Sequence, residues 1–179
     1  MRKIIKELAG WLVYIVIVVI IAWGFVTFVA QRTQVSGASM ETTLSDGDQL
    51  IVDKISYQFR EPERFEIIVF PYQYEAGTYY IKRIIGLPGE TVRIDQNGNI
   101  YINGKLLKEN YGKETMLNNG RAGSDVYLGS DEYFVLGDNR NNSSDSRDPS
   151  VGIIQQKDII GRAWLQIYPF DEFGFIRHQ

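Results

Sequence analysis

TYYIKRIIG, residues 78–86, sets six β-branched or aromatic residues around an adjacent lysine and arginine. Thr78, Tyr79, Tyr80, Ile81, Ile84 and Ile85 all favour a pleated, half-buried surface. A run this short, closed by a glycine, reads as a strand rather than a helix. Lys82 and Arg83 then stand inside a strand whose neighbours are apolar.

The same reading extends in both directions. DQLIVDKISY (48–57) and FEIIVFPY (65–72) are strand-like runs upstream. Downstream come TVRID, NIYING and YFVLGD, then IIGRAWLQIY (159–168). Asn97-Gly98 and Asn103-Gly104 are turn dipeptides, because Asn and Gly tolerate positive φ. The stretch 105–130 is the least patterned and is expected to form surface loops. The ending YPFDEFGFIRHQ is aromatic but carries Asp171, Glu172 and Arg177, so it reads as a closing strand or turn. No helical period persists through these segments. The expected class is mostly β, as a barrel-like or folded double sheet.

Residues 11–30, WLVYIVIVVIIAWGFVTFVA, are of another kind. None is charged, and twenty residues of helix span about 30 Å, the thickness of the hydrocarbon layer. The run is longer than a cleaved signal's apolar region of about 7–15 residues. Its exit, Phe28-Val29-Ala30-Gln31, lacks the paired small residues of a cleavage site. An uncleaved single-pass anchor is therefore expected. Arg2, Lys3 and Lys6 precede it and Arg32 alone follows closely, which keeps the N-terminus cytoplasmic. The expected organisation is a cytoplasmic tail over 1–10, a transmembrane helix over 11–30 and an extracytoplasmic domain over 31–179. The location expected is the plasma membrane, with the β domain on its outer face.

Composition removes several chemistries. The 179 residues hold no cysteine, which excludes thiolate nucleophiles and disulfides. The only histidine, His178, lies one residue from the end, so a Ser-His-Asp triad would depend on the terminus. Sites needing two histidines are excluded by count, and no metal or cofactor is expected. A net charge of -3 gives no broad basic surface for nucleic acid.

VSGASMETTL (35–44) places Ser36 and Ser39 just beyond the apolar run, beside Gly37. Ser39 is nine residues past Ala30, which at full extension reaches about 30 Å at most. A serine nucleophile needs a proton acceptor. With histidine unavailable, carboxylates and lysine are left, and lysine serves only when neutral. Moving its pKa from about 10.4 to about 8 takes roughly 3 kcal/mol, which burial can supply. Lys82 and Lys54 both lie in strand-like runs, whereas Lys105, Lys108, Lys113 and Lys157 stand in polar contexts. A strand lysine is also often exposed, with its stem over apolar neighbours.

Three segments together resemble the type I signal peptidases. SGASMETTL is similar to the family's nucleophile box, YYIKRIIGLPGE to its lysine box, and GDNRNNSSDSRDPSVG to its Gly-Asp-Asn-Arg and Ser-x-Asp-Ser-Arg box. Their order and the preceding apolar run also match. The likeness covers most of residues 10 to 176 and is weakest over 105–130. It implies a signal-peptidase-like folded sheet with one N-terminal transmembrane helix, acting as a serine endopeptidase through a Ser-Lys dyad. Ser39 would be the nucleophile and Lys82 the general base, which decides against Lys54 and Ser36. Ser143 would hydrogen-bond the lysine, Asp145 and Arg147 would pair to brace the site, and Asp138, Asn139 and Arg140 would shape the adjoining turn. Val35, Gly37, Met40, Leu44, Tyr80 and Ile81 match substrate-lining positions. The substrate implied is an exported preprotein, bound extended and cut after small residues at an Ala-x-Ala type site, at the surface of a lipid bilayer.

Two positions depart from the family pattern. Thr42 stands where the family usually has proline, and Gly37 stands where some members carry a hydroxyl that could serve as a second oxyanion donor. A non-catalytic relative that assists assembly of surface structures is the alternative reading. Such a relative would be expected to lose the serine or the lysine, and this chain keeps both.

Overall fold

The antiparallel arrangement around residues 79–86 organises the molecule. The computed structural model describes residues 2–28 and 30–177, and within the first helix the side chains of residues 6, 7 and 10–24. In chain order the elements are α1 (Arg2–Phe28), β1 (Ala30–Gln34), β2 (Gln49–Asp53), β3 (Ile67–Pro71) and β4 (Tyr79–Gly86). There follow β5 (Thr91–Ile94), β6 (Ile100–Ile102), β7 (Lys105–Leu106), β8 (Val126–Tyr127) and β9 (Glu132–Leu136). β10 (Ile154–Gln155), β11 (Gly161–Tyr168) and β12 (Gly174–Phe175) complete the set.

Two sheets result. The larger runs β1-β2-β11-β3-β4-β9-β10, with β12 beside β11, and the smaller runs β7-β6-β5-β8. β4 is central: it pairs antiparallel with β3, placing Lys82 opposite Ile68, and with β9, placing Arg83 opposite Leu136. Its last six residues are buried, with Lys82 and Arg83 carried into the interior between Ile81 and Ile84. Both faces of β3 are covered as well. Ile67 and Val69 pack with Leu50, Val52 and Ile81, while Ile68 and Phe70 pack with Ile84, Tyr133 and Val135. A third cluster, including Ile85, Val92, Ile94, Ile100 and Phe134, joins the two sheets.

Several expected boundaries move. The strand expected over 48–57 stops at Asp53, because the Asp53 carboxylate accepts the N–H groups of Ile55 and Ser56 at 3.1 Å each and turns the chain. The stretch expected to be loops over 105–130 holds β7, a 3-10 turn at Gly120–Gly123, and β8, which pairs with β5. Asn103 and Gly104, between β6 and β7, both take positive φ, at 51° and 76°.

The N-terminal helix begins at Arg2 rather than residue 11 and ends at Phe28, so Ala30 already belongs to β1. From Trp11 to Ile21 its large apolar side chains are exposed. Among the described residues no helix is long and apolar enough to cross a membrane; the described side chains of α1 form an unbroken stretch only over residues 10–24.

Candidate active site

Ser39 sits in a tight turn between β1 and β2. Met40 is buried and its carbonyl accepts the N–H groups of Thr43 and Leu44 at 2.8 and 2.9 Å. Upstream, Gly37 takes φ +89° and donates its N–H to Asp46 Oδ1 at 2.7 Å. The loop is closed at its base, where Val35 N–H meets the Asp48 carbonyl at 2.8 Å. The peptide bond before Thr42 is cis.

Lys82 reaches this turn from β4. Its Nζ lies 2.8 Å from Ser39 Oγ and 3.0 Å from the Ile81 carbonyl oxygen. The side chain is 4% exposed. Burial pulls its pKa down to about 8, against the opposing pull of the Asp145 and Asp138 carboxylates. A separation of 2.8 Å lets the Ser39 hydroxyl donate to the amine once that amine is neutral. Lys54, in contrast, lies beyond the end of β2 and lines a separate cavity with Tyr57, Gln58 and Lys157. His178 lies outside the described residues.

The loop after β9 holds the turn against the sheet. Asn139 donates its backbone N–H to the Ser39 carbonyl and its Nδ2 to the Ala38 carbonyl, both at 3.0 Å. Asp145 and Arg147 form a bidentate pair, with both contacts at 2.8 Å, and Asp145 Oδ2 accepts the Gly137 N–H at 3.1 Å. Arg140 pairs bidentately with Glu109, at 2.8 and 2.9 Å.

Ser143 departs from expectation. Its buried Oγ has no hydrogen-bond partner among the described residues, so the anticipated bond to Lys82 is not made. Lys82 Nζ is instead engaged by Ser39 and the Ile81 carbonyl. Ser143 packs against Gly137, where an added Cβ would lie 2.2 Å from Ser143 Oγ and 2.5 Å from the Ser39 carbonyl oxygen.

The expected lining residues also behave unevenly. Val35, Met40, Leu44 and Ile81 meet in one cluster, but they are buried against one another and form core rather than an open wall. Gly37 is exposed and Tyr80 half-buried.

Sequence reading missed a second polar unit. Asp138 accepts from Arg83 through both oxygens, at 2.9 and 2.7 Å, and the pair is completely buried. Thr43 adds a hydroxyl at 2.6 Å to the same carboxylate, and the Tyr111 ring lies 3.6 Å from the guanidinium carbon. The available signal was Arg83 itself, since a cation beside Lys82 in a buried strand requires a carboxylate from elsewhere.

Fold and geometry together define a mostly-β protein in which a buried amine meets a serine hydroxyl. The chain belongs to the signal peptidase family, peptidase S26, whose family model matches residues 8–168. It is therefore a serine peptidase by family. It is 44% identical over 163 residues to a probable signal peptidase I-2 of Synechocystis, covering 88% of this chain and 72% of the relative. Similarity to signal peptidase I P of Bacillus subtilis subsp. natto is 37% over 180 residues, covering 97% and 94%. A crystal structure of a signal peptidase I from Enterococcus faecalis aligns at 35% identity with TM-score 0.46, covering 57% of this chain and 97% of that one.

Proposed function

We propose that this protein is a membrane-anchored serine endopeptidase that removes N-terminal signal peptides from exported preproteins, with Ser39 as nucleophile and Lys82 as general base. One observation carries the reading: Lys82 Nζ, almost dry, stands 2.8 Å from Ser39 Oγ. A peptide bond enters extended, with its scissile carbonyl over Ser39. Neutral Lys82 takes the hydroxyl proton as Oγ attacks, and the Ser39 backbone N–H faces the developing oxyanion. The resulting ammonium passes its proton to the leaving amine as the C–N bond breaks, which leaves an ester at Ser39. Lys82 then takes a proton from water, whose oxygen attacks the ester, and returns that proton to Ser39.

Of the expected lining positions, exposed Gly37 and half-buried Tyr80 are open to small residues on the acyl side, while Val35, Met40, Leu44 and Ile81 back the Ser39 turn from the core. Discrimination there must come from steric rejection of bulk, since a methylene contributes only about 1–3 kcal/mol. The uncharged run 11–30 and the cations before it support the anchored reading, in which this segment crosses the bilayer with the N-terminus inside and the β domain on the outer face. Ser39 then works within about 30 Å of the bilayer surface.

The test uses the detergent-solubilised full chain and a peptide with an Ala-x-Ala site. With an amine titrating at about 8, the rate should climb about tenfold per pH unit below that point and level off above it. Ser39→Ala and Lys82→Met should each abolish cleavage. A Lys82→Met enzyme with near-normal rates would remove Lys82 from the mechanism. Nothing in the site favours the non-catalytic alternative, because both residues are kept and in contact.

A further inference from the structure

Lys82 has a neighbour that the proton-transfer scheme above does not use. Its Nζ stands over the Tyr80 ring, 4.9 Å from the centroid. Tyr80 and Lys82 are two apart on β4 and so share a face of the strand. Tyr80 is in turn stacked on Tyr72, with centroids 4.7 Å apart and planes 8° from parallel. Phe70, opposite Tyr80 on β3, closes against its edge at 6.2 Å and 70°. The ring under the amine is thus held by two further rings.

The charges around the amine are otherwise committed. Asp145 is tied to Arg147 and Asp138 to Arg83, each through both oxygens. The atoms that bond Nζ are neutral: the Ser39 hydroxyl and the Ile81 carbonyl oxygen. An ammonium formed here gains little from water, because Lys82 is 4% exposed. An aromatic face within about 6 Å attracts a cation and is indifferent to a neutral amine.

We propose that Tyr80, positioned by Tyr72, is a catalytic residue whose ring face stabilises the Lys82 ammonium formed when Ser39 loses its proton. This rests on Ser39 and Lys82 performing the chemistry. The binding is differential in the sense that catalysis requires, since the attraction appears only as the charge does. The Tyr80 hydroxyl does not complicate the scheme. Burial, with Tyr72, Glu75 and Asp148 nearby, holds its pKa above the ordinary phenol value, so the ring stays neutral in alkaline assays.

The consequence for rate against pH is specific. Weakening the ring face lowers the amine's pKa and, by a similar factor, lowers the rate of the neutral form. The two effects cancel below the inflection and leave only the second above it. In single-turnover cleavage by the full chain, Tyr80→Leu should move the inflection down by about half to one pH unit. The alkaline plateau should fall about 3- to 10-fold while the acid limb stays nearly in place. Tyr80→Phe keeps the face and should keep the inflection. Fluorinated phenylalanines at position 80 keep the shape and should move the inflection down in steps as fluorines are added. Tyr72→Leu should shift it in the same direction by less.

An unmoved inflection across the fluorinated series would overturn the proposal. So would a parallel fall of both limbs in Tyr80→Leu, which is what lost packing alone produces. An active Lys82→Met enzyme would instead sink the underlying assignment of the base, and the two failures are read in different variants.

Discussion

At Lys82, the proposed function and stability pull in opposite directions. Carrying the amine from its ordinary 10.5 down to about 8 corresponds to about 3 kcal/mol that the fold expends on a buried cation. The folded pKa lies below the unfolded one, so between about 8 and 10.5 the unfolded chain binds more protons and stability rises with pH. Below that window the full cost is present. Lys82→Met replaces the amine with an apolar chain of similar length. It should therefore raise the melting temperature at pH 7, by several degrees at about 2–4 °C per kcal/mol, while cleavage is lost. The gain should shrink as pH climbs through the same window, and calorimetry at several pH values checks this. A lower melting temperature for Lys82→Met at pH 7 would contradict a costly buried amine. Gly137 poses the opposite problem. A methyl there would meet Ser143 Oγ at 2.2 Å and the Ser39 carbonyl at 2.5 Å, and the carbonyl, being backbone, yields only if the Ser39 turn moves. Gly137→Ala should cost both stability and at least tenfold in kcat, measured on the same preparation.

The loop from Gly137 to Arg147 acts as one element because its anchors are charged, buried and mutually bonded. Asp145 is fully buried and binds both its own arginine and the Gly137 N–H, so it fixes the segment that in turn holds the Ser39 carbonyl through Asn139. Asp145→Asn leaves Arg147 half-paired in the interior, a change that costs about 3–5 kcal/mol. Thermal melts should show a drop of about 10 °C, and activity should fall with it. Activity lost at an unchanged melting temperature would assign Asp145 a direct role in chemistry instead. This element also shows where sequence reading stops. β3, β4, β9 and β11 announce themselves because they are apolar on one or both faces. β1, AQRTQ, is a polar edge strand, while β7, β8 and β10 have two residues each, too few to carry a period. In the site, the apolar strand runs narrowed the lysines to Lys82 and Lys54 and the turn offered both Ser36 and Ser39, so the choice of Lys82 and Ser39 came from the resemblance to the family's boxes. The Arg83–Asp138 pair spans 55 residues, and the stack of Tyr72 on Tyr80 depends on the β3–β4 register. Neither long-range geometry is written in local pattern. The same limit explains Ser143, whose place in the box suggested a bond that the packing around Gly137 does not make.

For the whole molecule, the question is what the N-terminal helix contributes to the β domain. Its large side chains from Trp11 to Ile21 are exposed rather than packed on the sheets, and the buried clusters draw on none of them. The β domain's core, the Ser39–Lys82 contact and the buried ion pairs all lie beyond Gln34. Removing residues 2–28 should therefore leave the melting temperature within about 2 °C and kcat on a soluble peptide within about twofold. Under the proposed membrane-anchored function, what the helix supplies is location: on a shared bilayer, enzyme and preprotein meet at an effective concentration set by the tether instead of by bulk dilution. The truncated protein should accordingly be at least tenfold slower than the full chain on a preprotein embedded in the same vesicles, and it should leave the membrane pellet on flotation. Equal rates of the two forms on the embedded preprotein would show that the helix does not concentrate enzyme and substrate together. A truncated protein that melts much lower would show that α1 packs against the β domain and is part of its core.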